Sequence, residues 1–505
     1  MLYLEFFLSY VNTQTILALI VAYLLLSYGF RRRKWNLPPG PWSLPILGNL
    51  PMLAINRVRI AKEPEKWLTE MAKDYGEVFS LKVGTKLIVV ANGRRSIKEA
   101  FNNQHISDRP RSKLFEEIGL DEAVGFTSGK SWKYQRTFTL NAFRAFGVGR
   151  SQFEGNITKE AETLVEGIHQ NNMDKEKAFD PHVLLGNCVS NVINSVVLGK
   201  RYDHSDSEFK HLISLLKNTA NDIGPSSLVA FLPMAKYVFP KQYKTVKSNF
   251  SEFRDFILAI VNKHRRNVDE NNIHDIIGIF LQEIELSMKE QSDRAQYIHL
   301  KSLTATVMVL FFAGTESSAT TLRWALLYMI KYPEIQAKVQ QEMDVVVGRT
   351  RMPQWADRLY LPYTEAVLLE IQRIATIGPL GFPHVASEDT KLAGYDIPKG
   401  TYVVSNIWAV HHDPDVWAEP DQFKPERFLD EDGKLRQFEE FMPFSTGHRV
   451  CLGENLAKME MFLFFTYILH SYILIKPDAK PISMEGVSGG TFSPKPYEIV
   501  ANDRN

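Results

Sequence analysis

The chain has 505 residues, 45% of them apolar, and its 59 Lys and Arg residues almost balance 58 Asp and Glu residues, for a net charge of +1. This balance argues against a nucleic-acid binder, because such proteins carry a clear excess of positive charge. Two distant cysteines, Cys188 and Cys451, cannot form a disulfide framework, which is typical of a reducing compartment. The composition therefore predicts a large core, and each cysteine needs its own explanation.

The chain begins with an apolar segment in which residues 6–30 are 25 consecutive uncharged residues. As a helix rising ~1.5 Å per residue, this segment is longer than the ~30 Å hydrocarbon core of a bilayer. The basic run "RRRK" at 31–34 follows it, whereas a cleaved signal peptide carries its cations before the apolar run. The pattern predicts an uncleaved transmembrane anchor over residues 1–30, with the rest of the chain on the cytosolic side.

Residues 31–51 are basic and then proline-rich, which predicts a stiff tether because proline fixes extended backbone. Residues 77–93 indicate a β-hairpin with its turn at Gly84, and residues 391–406 indicate a second hairpin. The remainder is mostly helical in pattern. No break in composition after residue 50 marks a further boundary, so residues 52–505 are predicted to form one domain.

The segment Leu300–Pro333 is apolar almost all round, so it is either a second membrane span or a helix through a large core. Its polar residues decide between the two, because Glu316, Arg323 and their hydroxyl-bearing neighbours would each be costly in a bilayer. The sequence therefore predicts a central core helix that ends at Pro333, and the glutamate within it needs a reason.

Two motifs fail on closer inspection. Residues 125–132, "GFTSGKSW", resemble a phosphate-binding loop, but only three residues separate the glycine from the Gly-Lys pair where that motif needs four. The adjacent His411 and His412, with Asp413, suggest a metal cluster, yet adjacent side chains diverge and no third ligand lies at a recognisable spacing. We therefore interpret the first as an ordinary loop and the second as a polar turn.

Cys451 lies in "FSTGHRVCLG", between Gly447 and Gly453, with Arg449 two residues before it. The glycines allow the backbone to bend and approach a ligand closely, and the helix predicted from Glu454 onward favours a thiolate at its amino terminus. This arrangement is typical of a cysteine that binds a metal. The alternative, a buried cysteine acting as a small hydrophobe, is the interpretation that we adopt for Cys188.

The same loop matches the Phe-x-x-Gly-x-Arg-x-Cys-x-Gly signature of the cytochrome P-450 family, the haem-thiolate monooxygenases. The matching residues are Phe444, Gly447, Arg449, Cys451 and Gly453. Further family motifs follow in the expected order: "WKYQR" with Trp132 and Arg136, "AGTESS" at Ala313–Ser318, "EIQR" with Glu370 and Arg373, and "PERF" at Pro425–Phe428. The resemblance covers essentially the whole chain and is greatest to the animal microsomal branch that contains xenobiotic and steroid hydroxylases.

This resemblance implies a mainly α fold with small β-sheets, a single large helical domain around a haem, with an N-terminal membrane anchor helix. It also implies that the cofactor is haem b, that Cys451 is its axial thiolate, and that cations meet its propionates. The residues implied to contact the haem are Arg109, Trp132, Arg136, Ala313, His384, Phe444, Arg449 and Gly453.

The resemblance implies two further groups of residues. Glu370 and Arg373 join Arg427 of "PERF" in a buried network behind the haem, which is a structural role. Glu316 and Ser317 form the catalytic pair that delivers protons, and Gly314 permits a local opening of the long helix. Serine stands at 317 where the family usually has threonine, so the hydroxyl is kept without the methyl that restricts its rotamer.

By resemblance the protein is an endoplasmic-reticulum monooxygenase that inserts one atom of O2 into a lipophilic steroid, fatty acid or xenobiotic. Its electrons originate in NADPH and arrive through a flavoprotein reductase, since the chain has no flavin or nicotinamide motif of its own; cytochrome b5 is a further candidate partner, as is the lipid bilayer. A basic surface with Lys130, Lys133 and Lys458 is a candidate docking site for the reductase.

Two other classes share the haem-thiolate site. An isomerase or dehydratase would need neither reductase nor O2, and a haem-binding sensor would need no proton delivery, so Glu316 and Ser317 favour the monooxygenase. The implied pocket includes residues 110–125, 311–313 and 380–382 and the loop at 489–490. The apolar segment 226–240 is a candidate membrane contact or a plain buried segment.

Overall fold

The computed structural model describes residues 35–171, 178–222, 235–238, 240–267, 273, 275–477 and 481–504. The predicted anchor over residues 1–30 and most of the apolar segment 226–240 lie outside the described residues. Within those residues, no helix combines the length and apolar character needed to cross a bilayer. The chain divides into two compact units, a smaller one that ends at Asp108 and resumes over Leu380–Asn406, and a larger one that comprises Arg109–Pro379 and Ile407–Asn505.

The smaller unit combines short helices with a four-stranded sheet of order β1-β2-β6-β3. Its helices are α1 (Leu50–Ile55), α2 (Arg57–Lys62), α3 (Pro64–Tyr75) and α4 (Arg94–Asn102). Its strands are β1 (Val78–Val83), β2 (Lys86–Ala91), β3 (His384–Val385), β4 (Thr390–Leu392), β5 (Tyr395–Ile397) and β6 (Tyr402–Ser405).

The first predicted hairpin is confirmed, because β1 and β2 pair antiparallel with Val78 opposite Ala91, and Gly84 has a positive φ of 61° at the turn. The second prediction is only half right. Strands β4 and β5 form the hairpin, but β6 leaves it and pairs parallel with β2, with Ile88 opposite Tyr402. Val403 on β6 is fully buried there, so burial of its apolar side chain in the larger sheet outweighs local pairing.

The larger unit is mainly helical. Its helices are α5 (Lys113–Ile118), α6 (Gly129–Ala145), α7 (Glu154–Asn171), α8 (His182–Val197), α9 (Ser207–Asp222), α10 (Ala235–Val238), α11 (Pro240–Asn267), α12 (Ile276–Lys289), α13 (Leu300–Lys331), α14 (Pro333–Val346), α15 (Pro362–Ala375), α16 (Ile407–His411) and α17 (Glu454–Ser471). Its strands are β7 (Tyr472–Ile475), β8 (Gly486–Ser488), β9 (Phe492–Pro494) and β10 (Val500–Asp503), paired as β7 with β10 and β8 with β9.

The predicted central helix is confirmed as α13, which is buried along most of its length and packs against α8, α11, α15, α17 and β9. It begins with a capping box in which the His299 side chain accepts a hydrogen bond from the Ser302 backbone N–H. It ends at Lys331, since a residue before proline disfavours helical backbone and Pro333 follows Tyr332. The helix is continuous at Gly314, so the local opening that this glycine would permit stays a prediction. A Cβ at Gly314 would meet the Ile193 side chain at 2.4 Å, so glycine allows the close packing of α8.

Candidate functional site: the Cys451 loop and the long helix

The loop before α17 folds back on itself and presents the Cys451 thiol. The Cys451 N–H donates to Phe444 O at 3.0 Å, and the Val450 N–H donates to Gly447 O at 3.1 Å. Gly447 has a positive φ of 76°, which explains the glycine at this position. At Gly453 φ is −95°, and an added Cβ would have no protein atom within 4 Å, so the protein itself does not require glycine there.

The Cys451 thiol is open to solvent but lies deep among protein atoms. Burial raises its pKa, and the nearby Glu454 raises it further, while a hydrogen bond from Gly453 and the charge of Arg136 lower it. The expectation that the helix and cations alone would favour a thiolate is therefore only partly met, because desolvation is the larger effect. A bound metal would supply the remaining stabilisation, since a coordinating thiol is deprotonated outright.

Three arginines come together around this loop. The Arg449 Nη2 donates to Thr127 O at 2.6 Å, and its guanidinium lies 4.0 Å from the ring centre of the buried Trp132. The Arg136 Nη2 donates to Val450 O at 2.7 Å, next to the cysteine. Burial, followed by the positive charge of Arg136, lowers the pKa of Arg109 to about 10. Three cations held near one another are a destabilising arrangement that an anion would relieve.

The loop at 124–128 organises these cations, a role that the sequence did not indicate, although residues 124 and 125 belong to the implied pocket. The Arg109 Nε donates to Gly125 O at 3.1 Å and its backbone N–H to Ser128 Oγ at 2.9 Å, while Arg449 also reaches Val124 O at 3.5 Å. A phosphate-binding loop turns its N–H groups toward an anion, whereas here carbonyl oxygens face guanidinium groups. The rejection of a phosphate loop is therefore supported by the opposite polarity of the backbone.

These residues fit a haem. A thiol that can bind iron lies beside a cluster of arginines suited to two propionates, and an aromatic ring supports one of the arginines. The hydroxyl group of Thr127 is buried and has no hydrogen-bond partner within the described residues. It belongs to the residue whose carbonyl oxygen accepts a hydrogen bond from Arg449. The donor set thus combines a soft sulfur ligand with cations for carboxylates, as an iron porphyrin requires.

His384 lies in the smaller unit, on β3, and is buried. Its Nδ1 is 2.7 Å from Ile106 O, and its ring stacks on Phe101 with 3.9 Å between centroids. These two contacts are sufficient to explain why a histidine is buried at position 384. Its predicted contact with a propionate stays a prediction.

The predicted Glu370–Arg373–Arg427 network is confirmed. Arg373 binds Glu370 through two hydrogen bonds of 2.7 and 2.8 Å, and both side chains are fully buried. The Arg427 Nε reaches the same carboxylate at 3.0 Å. Sharing one carboxylate between two guanidinium groups satisfies the buried charges, so the network fixes α15 against the "PERF" segment.

His411 was missed, and it connects this network to the cysteine loop. The Arg373 Nη1 donates to His411 O at 2.7 Å, and the His411 Nε2 accepts from the Met442 N–H at 3.0 Å. Its Nδ1 lies 3.0 Å from Thr376 Oγ1. Both ring nitrogens are thus engaged, and burial holds the pKa of His411 well below its usual value. This supports the rejection of a metal cluster at His411 and His412, although no pattern in the sequence indicated the positioning role.

The long helix α13 carries the predicted proton-delivery residues. The Ser317 Oγ donates to Ala313 O at 2.6 Å, one turn earlier, and Ala313 itself is exposed. The Glu316 Oε1 accepts from Thr320 at 3.4 Å and from Thr491 at 3.3 Å. Glu316 and Ser317 thus lie on one turn of α13 with different partners, and their joint role in proton delivery stays a prediction.

The helix after Cys451 touches this turn through a buried carboxyl group that the sequence analysis did not single out. The Ser318 Oγ lies 2.6 Å from Glu460 Oε2 on α17, and burial raises the pKa of Glu460 to about 8. The Glu460 Oε1 has no hydrogen-bond partner within the described residues. This contact joins the helix that follows the cysteine loop to the helix that carries Glu316 and Ser317.

Cys188 is fully buried in the main hydrophobic cluster, which confirms its interpretation as a small hydrophobe. Its sulfur lies within 4.8 Å of ligand atoms of Glu160 and His204, a spacing that could hold a metal ion. However, Glu160 already forms an ion pair with Arg201 and contacts Asn191. The described contacts therefore give this cluster a structural role.

Comparison with known proteins identifies the family. Residues 38–501 match the family described as cytochrome P450. The chain is 38% identical to cytochrome P450 2J2 of Homo sapiens over 97% of this chain and 96% of that protein. It is 39% identical to cytochrome P450 2B2 of Rattus norvegicus over 90% and 92%, and 36% identical to cytochrome P450 2F2 of Mus musculus over 93% and 95%. The chain therefore belongs to the cytochrome P450 family, a family of haem-containing monooxygenases.

Proposed function

We propose that the protein is a monooxygenase of the endoplasmic reticulum membrane that hydroxylates a lipophilic steroid, fatty acid or xenobiotic. Per turnover, O2, two electrons and two protons convert the substrate to its hydroxylated product and one water. The electrons come from NADPH through a flavoprotein reductase. The observation that carries the proposal is the Cys451 thiol near Arg136, with the buried Arg109 close to Arg136 and Arg449 in the same loop as the cysteine, because sulfur and cations together match an iron porphyrin.

When bound through Cys451, haem supplies the electron-rich iron that favours cleavage of the O–O bond. The chain's own residues hold and feed this centre. Arg136 fixes the carbonyl of Val450 next to the ligand, and Arg449 is braced by Trp132. Glu316 and Ser317 move the two protons, since a carboxylate and a hydroxyl on one helical turn can pass a proton through water.

The proposed reductase surface consists of Lys130, Lys133 and Lys458. The first two are exposed on α6, whose Trp132 and Arg136 contact the cysteine loop, and Lys458 lies 5.5 Å from the ring centre of Phe444. Reversing these charges should raise the apparent KM for the reductase, because complementary charge steers association. The control is Lys289→Glu, which reverses the charge of an exposed lysine on α12. An equal increase in the apparent KM of this variant would contradict the proposed docking surface.

The ligand assignment is tested by the carbon-monoxide difference spectrum of the reduced protein. Wild type and Cys188→Ala should give the red-shifted band of a thiolate ligand, whereas Cys451→Ser should lose it while keeping its fold by circular dichroism. A band that survives in Cys451→Ser would refute the assignment. Turnover of laurate, testosterone and benzphetamine with and without NADPH and reductase then distinguishes a monooxygenase from an isomerase, which would need neither.

A further inference from the structure

Three hydroxyl groups form a cluster next to one oxygen of Glu316, and two of them contact that oxygen. Thr320 on α13 and Thr491, between β8 and β9, both donate to Glu316 Oε1, at 3.4 and 3.3 Å. The two hydroxyls are 3.2 Å apart, and Ser493 on β9 lies 3.4 Å from Thr320 and 3.2 Å from Thr491. We call Thr320, Thr491 and Ser493 the hydroxyl cluster.

Stronger contacts fix the position of this cluster. The Trp324 Nε1 on α13 donates to Phe492 O at 2.9 Å, and the two rings stack with 5.8 Å between centroids. The Arg323 Nη2 donates to Pro494 O at 3.1 Å. These contacts attach the β8–β9 hairpin to α13 on both sides of Ser493, so Thr491 is placed beside Glu316 by the backbone.

The two oxygens of Glu316 are in different situations. Both hydrogen bonds that the carboxylate accepts from described residues go to Oε1, and Oε2 accepts none from that part of the chain. The separations within the cluster, 3.2 to 3.4 Å, exceed the about 2.8 Å typical of hydroxyl donors. No single contact therefore fixes the carboxylate, but two donors on one oxygen confine its rotation and leave Oε2 open to exchange a proton.

We propose that Thr491 is a positioning residue for proton delivery: with Thr320 and Ser493 it holds Glu316 Oε1, so that Oε2 is the oxygen that passes protons on. This inference rests on the proposed role of Glu316. Thr491 and Ser493 lie on a hairpin that is remote in sequence from Glu316. The hydroxyl cluster therefore forms only when β9 packs against α13. Losing the Thr491 hydroxyl leaves the acid present but less well oriented, which lowers the probability of productive transfer.

The test uses Thr491→Val, which replaces the hydroxyl by a methyl of similar volume, and Thr491→Ser, which keeps the hydroxyl. We expect haem content and the spectrally measured dissociation constant of the best panel substrate to be unchanged in both. Hydrogen peroxide released per NADPH should rise about threefold in Thr491→Val and stay near wild type in Thr491→Ser. Thr304→Val, the same change on the same helix, is the control, because its hydroxyl bonds to Leu300 O.

Two further measurements separate positioning from a general structural effect. In a Glu316→Gln background, Thr491→Val should add no further peroxide, since residues that act through one another are not additive. A crystal structure of Thr491→Val should show the Glu316 carboxylate in more than one orientation, which needs no turnover. If Thr491→Val folds poorly, Ser493→Ala takes its place, with the same expectations and a smaller peroxide increase.

A wild-type peroxide yield together with an unchanged Glu316 orientation in Thr491→Val or Ser493→Ala overturns the inference, as does full additivity with Glu316→Gln. Failure of the proposed function looks different: wild type itself would give no NADPH-dependent product from any panel compound, while the crystallographic comparison would still report whether Thr491 orients Glu316.

Discussion

The loop that carries Cys451 and the helix turn that carries Glu316 are held in opposite ways. The loop is fixed by many short backbone contacts, such as Arg136 to Val450 O at 2.7 Å and His411 to the Met442 N–H at 3.0 Å. Among the described residues, Glu316 accepts hydrogen bonds from side-chain hydroxyls alone, at 3.3 and 3.4 Å. The proposed roles account for this difference, because a metal ligand must stay in one place whereas a proton carrier must exchange partners.

The largest effect is expected from removing a residue that supports the Cys451 loop. Arg373→Ala leaves the buried Glu370 with Arg427 as its one ionic partner among the described residues, and it removes the hydrogen bond from Arg373 to His411 O. We expect destabilisation of about 3–5 kcal/mol and loss of haem incorporation, measured by thermal unfolding and haem content. Arg351→Ala, which removes a half-exposed partner of Asp357, should cost about 1 kcal/mol or less. A stable, haem-loaded Arg373→Ala protein would show that the network is dispensable.

The junction between the two regions predicts a pH dependence. Burial raises the pKa of Glu460 to about 8, so the folded state binds a proton more tightly than the unfolded chain does. The resulting stability is present below the unfolded pKa of about 4.5 and is lost as pH rises through about 8, with a slope of at most about 1.4 kcal/mol per pH unit.

Glu460→Gln removes this titration and can still contact Ser318, so its melting temperature should fall less than that of wild type between about pH 6 and pH 8. The Ser318 hydroxyl lowers the pKa of Glu460, so Ser318→Ala should shift the loss of stability to higher pH. If the melting temperature changes equally with pH in wild type, Glu460→Gln and Ser318→Ala, the result contradicts a protonated Glu460.

A smaller effect is expected at the arginine cluster. Arg136→Leu removes the hydrogen bond to Val450 O and one cation near the thiol. Transfer of haem to apomyoglobin should become about tenfold faster, equivalent to about 1.4 kcal/mol. Arg144→Leu, at an exposed position on the same helix, should leave the rate unchanged, and equal rates in the two variants would remove Arg136 from haem retention.

The smallest effect is expected at Ser317, on the helix turn that carries Glu316. Ser317→Ala should raise peroxide per NADPH about fivefold, because a hydroxyl proposed to carry protons is lost. Ser317→Thr should lower it, since the added methyl restricts the rotamer. If the Ser317 hydroxyl serves only to bond to Ala313 O within the helix, both variants will release as much peroxide per NADPH as wild type does.

Much of this protein was determined by sequence alone. The cysteine signature and the buried helix that ends before Pro333 depend on spacing within short segments, which local sequence encodes directly. The same reasoning separated the metal-binding candidate Cys451 from the buried Cys188. The Glu370–Arg373–Arg427 network was predicted from the family resemblance instead, since Arg427 is 57 residues from Glu370.

Only the tertiary structure decided the contacts between distant segments. The transfer of β6 to the larger sheet, the support of Arg109 and Arg449 by the loop at 124–128, and the placement of Thr491 beside Glu316 each join residues far apart in the chain. Local pattern cannot specify such pairs, because they form only when burial of apolar faces brings the segments together. The tertiary structure also decided the pKa of the Cys451 thiol. The local sequence favoured a thiolate, but desolvation by the surrounding fold raises the pKa of the thiol.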